Sequence, residues 1–208
     1  MNKKVRRLIA QIETQIRNAS VEFELLLNLF GTQERLRIVN LSAPNVFITI
    51  RRCLVNSVVI GLSRLCDPAV DRQKNKNLSL ERLRDSLPKK TKANQELQKR
   101  LCHLEGQIKK EVKKLKRYRS TRIAHNDFGS ISRKWHKKVP HSSVDRALKL
   151  MEEFINQIYL KFDDASVNIL NPQYPSKDGP DRLMRIIEKG IKRQQDALHN
   201  SAPAVFRV

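Results

Sequence analysis

The sequence predicts an all-α protein, an up-and-down helical bundle with long central helices and a C-terminal helical appendage. Apolar residues recur at three- and four-residue spacing through most of the chain, and no strand-like alternation interrupts them. Pro44, Pro68 and Pro88 fall at the edges of these stretches, where a proline opens or stops a helix. With 39% hydrophobic and 30% charged residues among 208, the composition is that of a folded, soluble chain with one core and room for an appendage.

Val5, Ile9, Ile12 and Ile16 begin the first helix, and the stripe resumes through Phe23, Leu26, Leu27 and Phe30 before Gly31. A short piece runs to about Asn40. Ser42 and Pro44 are read as opening the most apolar stretch, Val46 to Cys66, which stops at Asp67-Pro68. Arg51, Arg52 and Arg64 interrupt it, so it is expected to be a buried central helix and not a membrane span. Residues 67–78 form a polar loop, after which Ser79 caps a short helix carrying Leu80, Leu83 and Leu87. The next helix carries Leu97, Leu101, Leu104, Ile108, Val112 and Leu115, and the same spacing continued leads to Arg119 and Arg122. Charged groups thus replace the core stripe at its end, where they would be unwelcome without a purpose.

Residues 126–141 read as a loop. Ser142 with Asp145 suggests a capping box opening a helix with Val144, Leu148, Met151, Ile155, Ile158 and Phe162 on one face. The domain reading is a bundle over residues 1–165, followed over 166–208 by a connector, a short basic helix from Asp181 to Leu198 and a mobile tail.

Net charge is +21, and it is concentrated: Lys89 to Lys138 holds 17 Lys/Arg against 4 Asp/Glu, or +13 in 50 residues. Such a field favours a polyanion, nucleic acid above all, through salt-sensitive attraction to phosphates. Lys113, Lys114, Lys116 and Arg117 on the basic helix are the expected RNA contacts, together with Arg133, Lys134, Trp135, Lys137 and Lys138, where a ring is interleaved with positive charge. Packing of Trp135 onto the bundle is the competing use of that ring. A membrane partner fits less well, because the basic helix has no bulky aromatic face for insertion. Cys53, Cys66 and Cys102 are odd in number and lack CxxC spacing, so they are read as reduced core residues of a cytoplasmic protein. No His/Cys set or carboxylate cluster suggests a metal, and no cofactor is expected.

The stretch Tyr118-Arg119-Ser120-Thr121-Arg122-Ile123-Ala124-His125-Asn126-Asp127 combines a fixed guanidinium with an imidazole. An arginine holds a phosphate by parallel hydrogen bonds, and a histidine moves protons near neutrality. On a straight helix six residues turn by about 600°, which leaves Arg119 and His125 roughly 120° apart. A helix distortion near Ile123 or a second chain across a two-fold axis is needed to bring both to one phosphorus. The competing reading makes His125 a helix-terminal cation, with Asn126 as C-cap and Asp127 as partner of Arg122.

This stretch resembles the arginine-x(4–6)-histidine signature of the HEPN superfamily of helical ribonucleases, in particular its AbiU-like abortive-infection branch. There a tyrosine–arginine start and an Ala-His-x-Asp end are typical. Leu62-Ser63-Arg64-Leu65-Cys66-Asp67, followed by Leu78-Ser79-Leu80, is similar to a second stretch of that branch. The resemblance covers residues 1 to about 165. It implies a HEPN-type bundle that dimerises, with Arg119 and His125 of both protomers around a composite site. Ser120 departs from it: the family commonly carries Asn, Asp or His there.

The implied activity is metal-independent cleavage of RNA by a toxin of abortive infection or of a toxin–antitoxin pair. His125 would be the acid–base group and Arg119 the phosphate ligand, with Tyr118, Ser120, Arg122 and Asp127 in support. Two other readings stand beside it: a non-catalytic module that binds RNA or nucleotide, and a subunit that binds a partner protein such as an antitoxin.

Overall fold

The computed structural model describes residues 1–120, 140–170 and 179–201. It is all-α, as the periodicity predicts. Seven helices lie among the described residues: α1 Lys3–Phe30, α2 Gln33–Ser42, α3 Pro44–Leu65, α4 Leu80–Ser86, α5 Lys92–Tyr118, α6 His141–Phe162 and α7 Pro180–Ser201. Their only β pairing is an isolated bridge between Val70 and Lys76. The chain divides into two compact units, each built from separated stretches: residues 1–23 with 56–172, and residues 24–55 with 173–208.

The first unit holds the aliphatic seams that the sequence displays. Val5, Ile9, Ile12 and Ile16 of α1 are buried, as are all six stripe residues of α5 from Leu97 to Leu115. Val144, Leu148, Met151, Ile155 and Ile158 do the same on α6, and Val58, Val59, Leu62 and Leu65 at the end of α3. α5 packs against α6 and against α4. Leu80, Leu83 and Leu87 fill the core from α4, whose N-terminus is capped by Ser79 accepting from the Arg82 N–H at 3.3 Å. Thr91 caps α5 in the same way through Asn94.

After α6 the chain stays tied to that helix. Asn156 clasps Val167 through both its amide oxygen and nitrogen, and Glu152 accepts from the N–H groups of Ile169 and Leu170. Ile169 is buried as a result.

In the second unit α2 packs on α7, and Arg35 reaches Asp181 at 2.8 Å. Phe30 and Phe47 meet edge to face, and Arg51 lies over the Phe30 ring. Gly31 ends α1, where a Cβ would stand 2.3 Å from the Leu27 carbonyl oxygen.

Four expectations need correction. Ser142 and Asp145 form no capping box: Pro140 stands at the N-cap of α6, its carbonyl takes the N–H groups of Ser143 and Val144, and Asp145 pairs with Lys149. Ser42 does not open α3; its hydroxyl donates to the Val39 carbonyl and closes α2. Cys66 is buried, but Cys53 and Cys102 are exposed. Cys102 follows Leu101 and is turned about 100° away from the stripe.

The fourth concerns α3, expected to be buried along its length. Val58, Val59, Leu62 and Leu65 are buried, whereas Val46 and Ile48 near its start are 57% and 62% exposed. By length and composition α3 is the one described helix apolar enough to cross a bilayer. Arg51, Arg52 and Arg64 interrupt it, and Val58, Val59, Leu62 and Leu65 of its second half are buried.

Truncating the α5 seam tests this packing. Leu101→Ala or Ile108→Ala is expected to lower stability by about 2–5 kcal/mol, from lost transfer energy and the cavity left behind. Urea unfolding followed by circular dichroism measures it, with Gln107→Ala on the outer face as the near-neutral control.

Candidate functional site

The site begins where the α5 seam runs out. Leu115 is fully buried, and four residues later the same stripe presents Arg119. There the backbone keeps helical dihedrals, φ −54° and ψ −51°, and the Arg119 N–H is shared between the carbonyls of Leu115 and Lys116. The helix then widens into a π-type turn at Arg119-Ser120, a distortion often found at functional positions.

A guanidinium at the end of an apolar stripe needs a counter-charge, and Asp67 supplies it. Arg119 Nη1 donates to Asp67 Oδ2 at 3.2 Å, while Lys116 Nζ donates to Oδ1 of the same carboxylate at 3.0 Å. Lys116 also donates to the Cys66 carbonyl at 2.8 Å, a cation at the negative end of α3. One carboxylate thus holds two cations one helical turn apart on α5. Asp67, Arg119 and Lys116 are 24%, 32% and 35% exposed, so the cluster is held yet open to solvent.

Asp67 is itself firmly placed. It follows α3, with its N–H bonded to the Arg64 carbonyl, and precedes Pro68. Asn77 donates to the Pro68 carbonyl at 2.8 Å, and the Ala69 N–H reaches Glu81 of α4 at 3.4 Å. Glu81 accepts from Lys109 at 3.3 Å, and Lys109 also pairs with Glu105. Glu105, 3% exposed, is further held by Arg84. A charge network therefore joins α4 and α5 to the segment that carries Asp67. Such buried charges are tolerated only when paired.

The other site residues fall into three groups. Lys113, Lys114 and Arg117 are exposed on α5, as a phosphate-attracting face requires. Tyr118 is partly buried beside Arg119, and Ser120 is exposed. His125, Arg122, Asp127, Arg133, Lys134, Trp135, Lys137 and Lys138 lie outside the described residues.

The two sequence stretches singled out separately, 62–67 and 118–127, are thus joined by a direct ion pair. Asp67 lies in the first of these stretches, and its role is not apparent from the sequence alone. Its signal was an acid placed between the last apolar residues of a helix and a proline.

The all-α architecture is that of a HEPN-type bundle, the class to which a family match assigns the chain. Residues 2–179 match the HEPN AbiU2 family, described as AbiU2, and the chain belongs to that family. No curated protein and no solved structure matches it.

Cys66 reports on the integrity of this corner. Burial, opposed by the positive charges of Lys116 and Lys109, pushes its thiol up from the ordinary range to about 12. A raised thiol pKa keeps the unreactive protonated form from neutrality to well above pH 9. Iodoacetamide at pH 8 is therefore expected to label Cys53 and Cys102 quickly and Cys66 only after denaturant is added. Mass spectrometry of the alkylated peptides measures this. Raising the pH from 7 to 9 should leave Cys66 protected.

Proposed function

We propose that this protein is a metal-independent endoribonuclease. The observation that carries the reading is the placement of Arg119: it ends the buried seam of a strongly basic helix, fixed through one guanidinium nitrogen and a third exposed. That is how a phosphate ligand is preorganised, since its position is set before substrate arrives. Membership of a HEPN family and the Arg119-x5-His125 spacing support His125 as the second group the chemistry needs.

In the reaction, a ribose 2′-hydroxyl attacks the adjacent phosphorus and the bond to the 5′-oxygen breaks. The products are a 2′,3′-cyclic phosphate and a 5′-hydroxyl. His125 handles the proton as base or acid, and Arg119 stabilises charge growing on the phosphoryl oxygens. Arg122 assists, and Tyr118, Ser120 and Asp127 support the motif. Lys113, Lys114, Lys116 and Arg117, with Arg133, Lys134, Trp135, Lys137 and Lys138, attract and guide the strand. Two protomers share a composite site, which removes the angular mismatch between Arg119 and His125 on one helix. The biological role is that of a growth-arresting toxin of abortive infection or of a toxin–antitoxin pair, acting in the cytoplasm and restrained by an antitoxin protein.

A second reading is a non-catalytic RNA-binding module. It is favoured by Ser120, which stands where the family commonly has a carboxylate, amide or imidazole.

Purified protein incubated with end-labelled RNA in EDTA should leave 2′,3′-cyclic phosphate ends, while the all-deoxy oligonucleotide stays intact. Arg119→Ala and His125→Ala should each slow cleavage by at least about 100-fold. Retention of RNA without cleavage would favour the binding module. Cleavage by His125→Ala at the wild-type rate would sink the assignment.

A further inference from the structure

We infer that Asp67 is a positioning residue for Arg119, and that it sets turnover without contributing to RNA affinity. The inference rests on the nuclease reading above and concerns a residue outside the arginine–histidine stretch.

Three observations carry it. Asp67 divides its two oxygens between two cations, Oδ1 to Lys116 at 3.0 Å and Oδ2 to Arg119 at 3.2 Å. The contact with Arg119 engages Nη1 alone, and a guanidinium has five N–H donors in a rigid plane. The carboxylate therefore fixes the direction of that plane without spending the donors a phosphate needs. The support beneath Asp67 is built for placement: Asn77 on the Pro68 carbonyl, Glu81 on the Ala69 N–H, and Lys116 on the Cys66 carbonyl. Side-chain or backbone bonds thus brace the residues on either side of Asp67.

The alternatives have opposite signs. Were Asp67 only a competitor for the Arg119 guanidinium, its removal would free a cation and speed the reaction. Were it only one more surface charge on a chain of net charge +21, its neutralisation would strengthen RNA binding and leave turnover alone. A positioning role separates the two quantities, because a guanidinium that loses its direction still attracts phosphate but no longer meets the transition state.

The test compares wild-type protein with Asp67→Asn and Asp67→Glu. Two readouts are taken: kcat on a cleavable RNA, and Kd for the same sequence made entirely of 2′-deoxynucleotides. Melting temperatures establish that each variant is folded. The expected result is a fall in kcat on the order of 10- to 100-fold for Asp67→Asn, with Kd equal to or tighter than wild type. Asp67→Glu, which keeps the charge, should recover part of the loss.

Turnover unchanged or raised in folded Asp67→Asn, beside wild-type protein that cuts RNA in an Arg119-dependent way, would overturn this inference alone. A fall in kcat matched by an equal weakening of Kd would also overturn it, since affinity and not orientation would then be at stake. Wild-type protein that does not cut RNA would overturn the nuclease reading and this inference with it. Should Asp67→Asn fail to fold, Asp67→Glu decides: a longer carboxylate that cleaves at the full wild-type rate contradicts a role that depends on direction.

Discussion

Six aliphatic side chains of α5, from Leu97 to Leu115, are buried as that helix packs on α6 and α4, and they fix the helix's rotation about its own axis. Turning α5 would return that surface to water at about 25 cal/mol per Å². The rotation decides what emerges at its C-terminal end. Arg119 falls on the inward side because it continues the stripe by four residues. A lysine-rich face, with Lys110, Lys113 and Lys114, is turned outward for the same reason. Core packing and charge display are one constraint seen from two sides.

An inward guanidinium is costly without an anion, and this cost links α5 to α3. Asp67 meets it from just beyond the end of α3, and Lys116 secures the join by donating to both the Asp67 carboxylate and the Cys66 carbonyl. The exposed lysines and the held arginine consequently have different duties. The former provide a long-range, sequence-blind field that salt weakens. The latter sits in a defined geometry through its bond to Asp67 and the network behind that carboxylate.

Much of this was legible in the residues. The stripes of α1, α5 and α6 were plain because each keeps strict three/four spacing over several turns, and Ser79 announced α4 by standing just before its leucines. The arginine that ends the α5 stripe was visible by the same count. Other features were not. Ser142 looked like a cap, but Pro140 starts the helix two residues earlier, and a proline carbonyl serves the first amides as well as any residue's. Cys102 shares a helix with buried leucines, yet a shift of one residue turns it outward. The length of α3 hid a change of environment between Ile48 and Val58, because an apolar residue reads alike whether buried or exposed. Asp67 was invisible as a partner of Arg119, since 52 residues separate them and only the folded chain brings them together. The compact units combine stretches far apart in the chain.

The most direct test of the central claim is a crystal structure of the His125→Ala protein bound to an RNA whose scissile nucleotide carries a single 2′-deoxy substitution. The Arg119 guanidinium is expected to bridge Asp67 and the non-bridging oxygens of one phosphodiester, with residue 125 of the same or the partner protomer facing the 2′ position. RNA seated elsewhere, with Arg119 touching Asp67 alone, would contradict it.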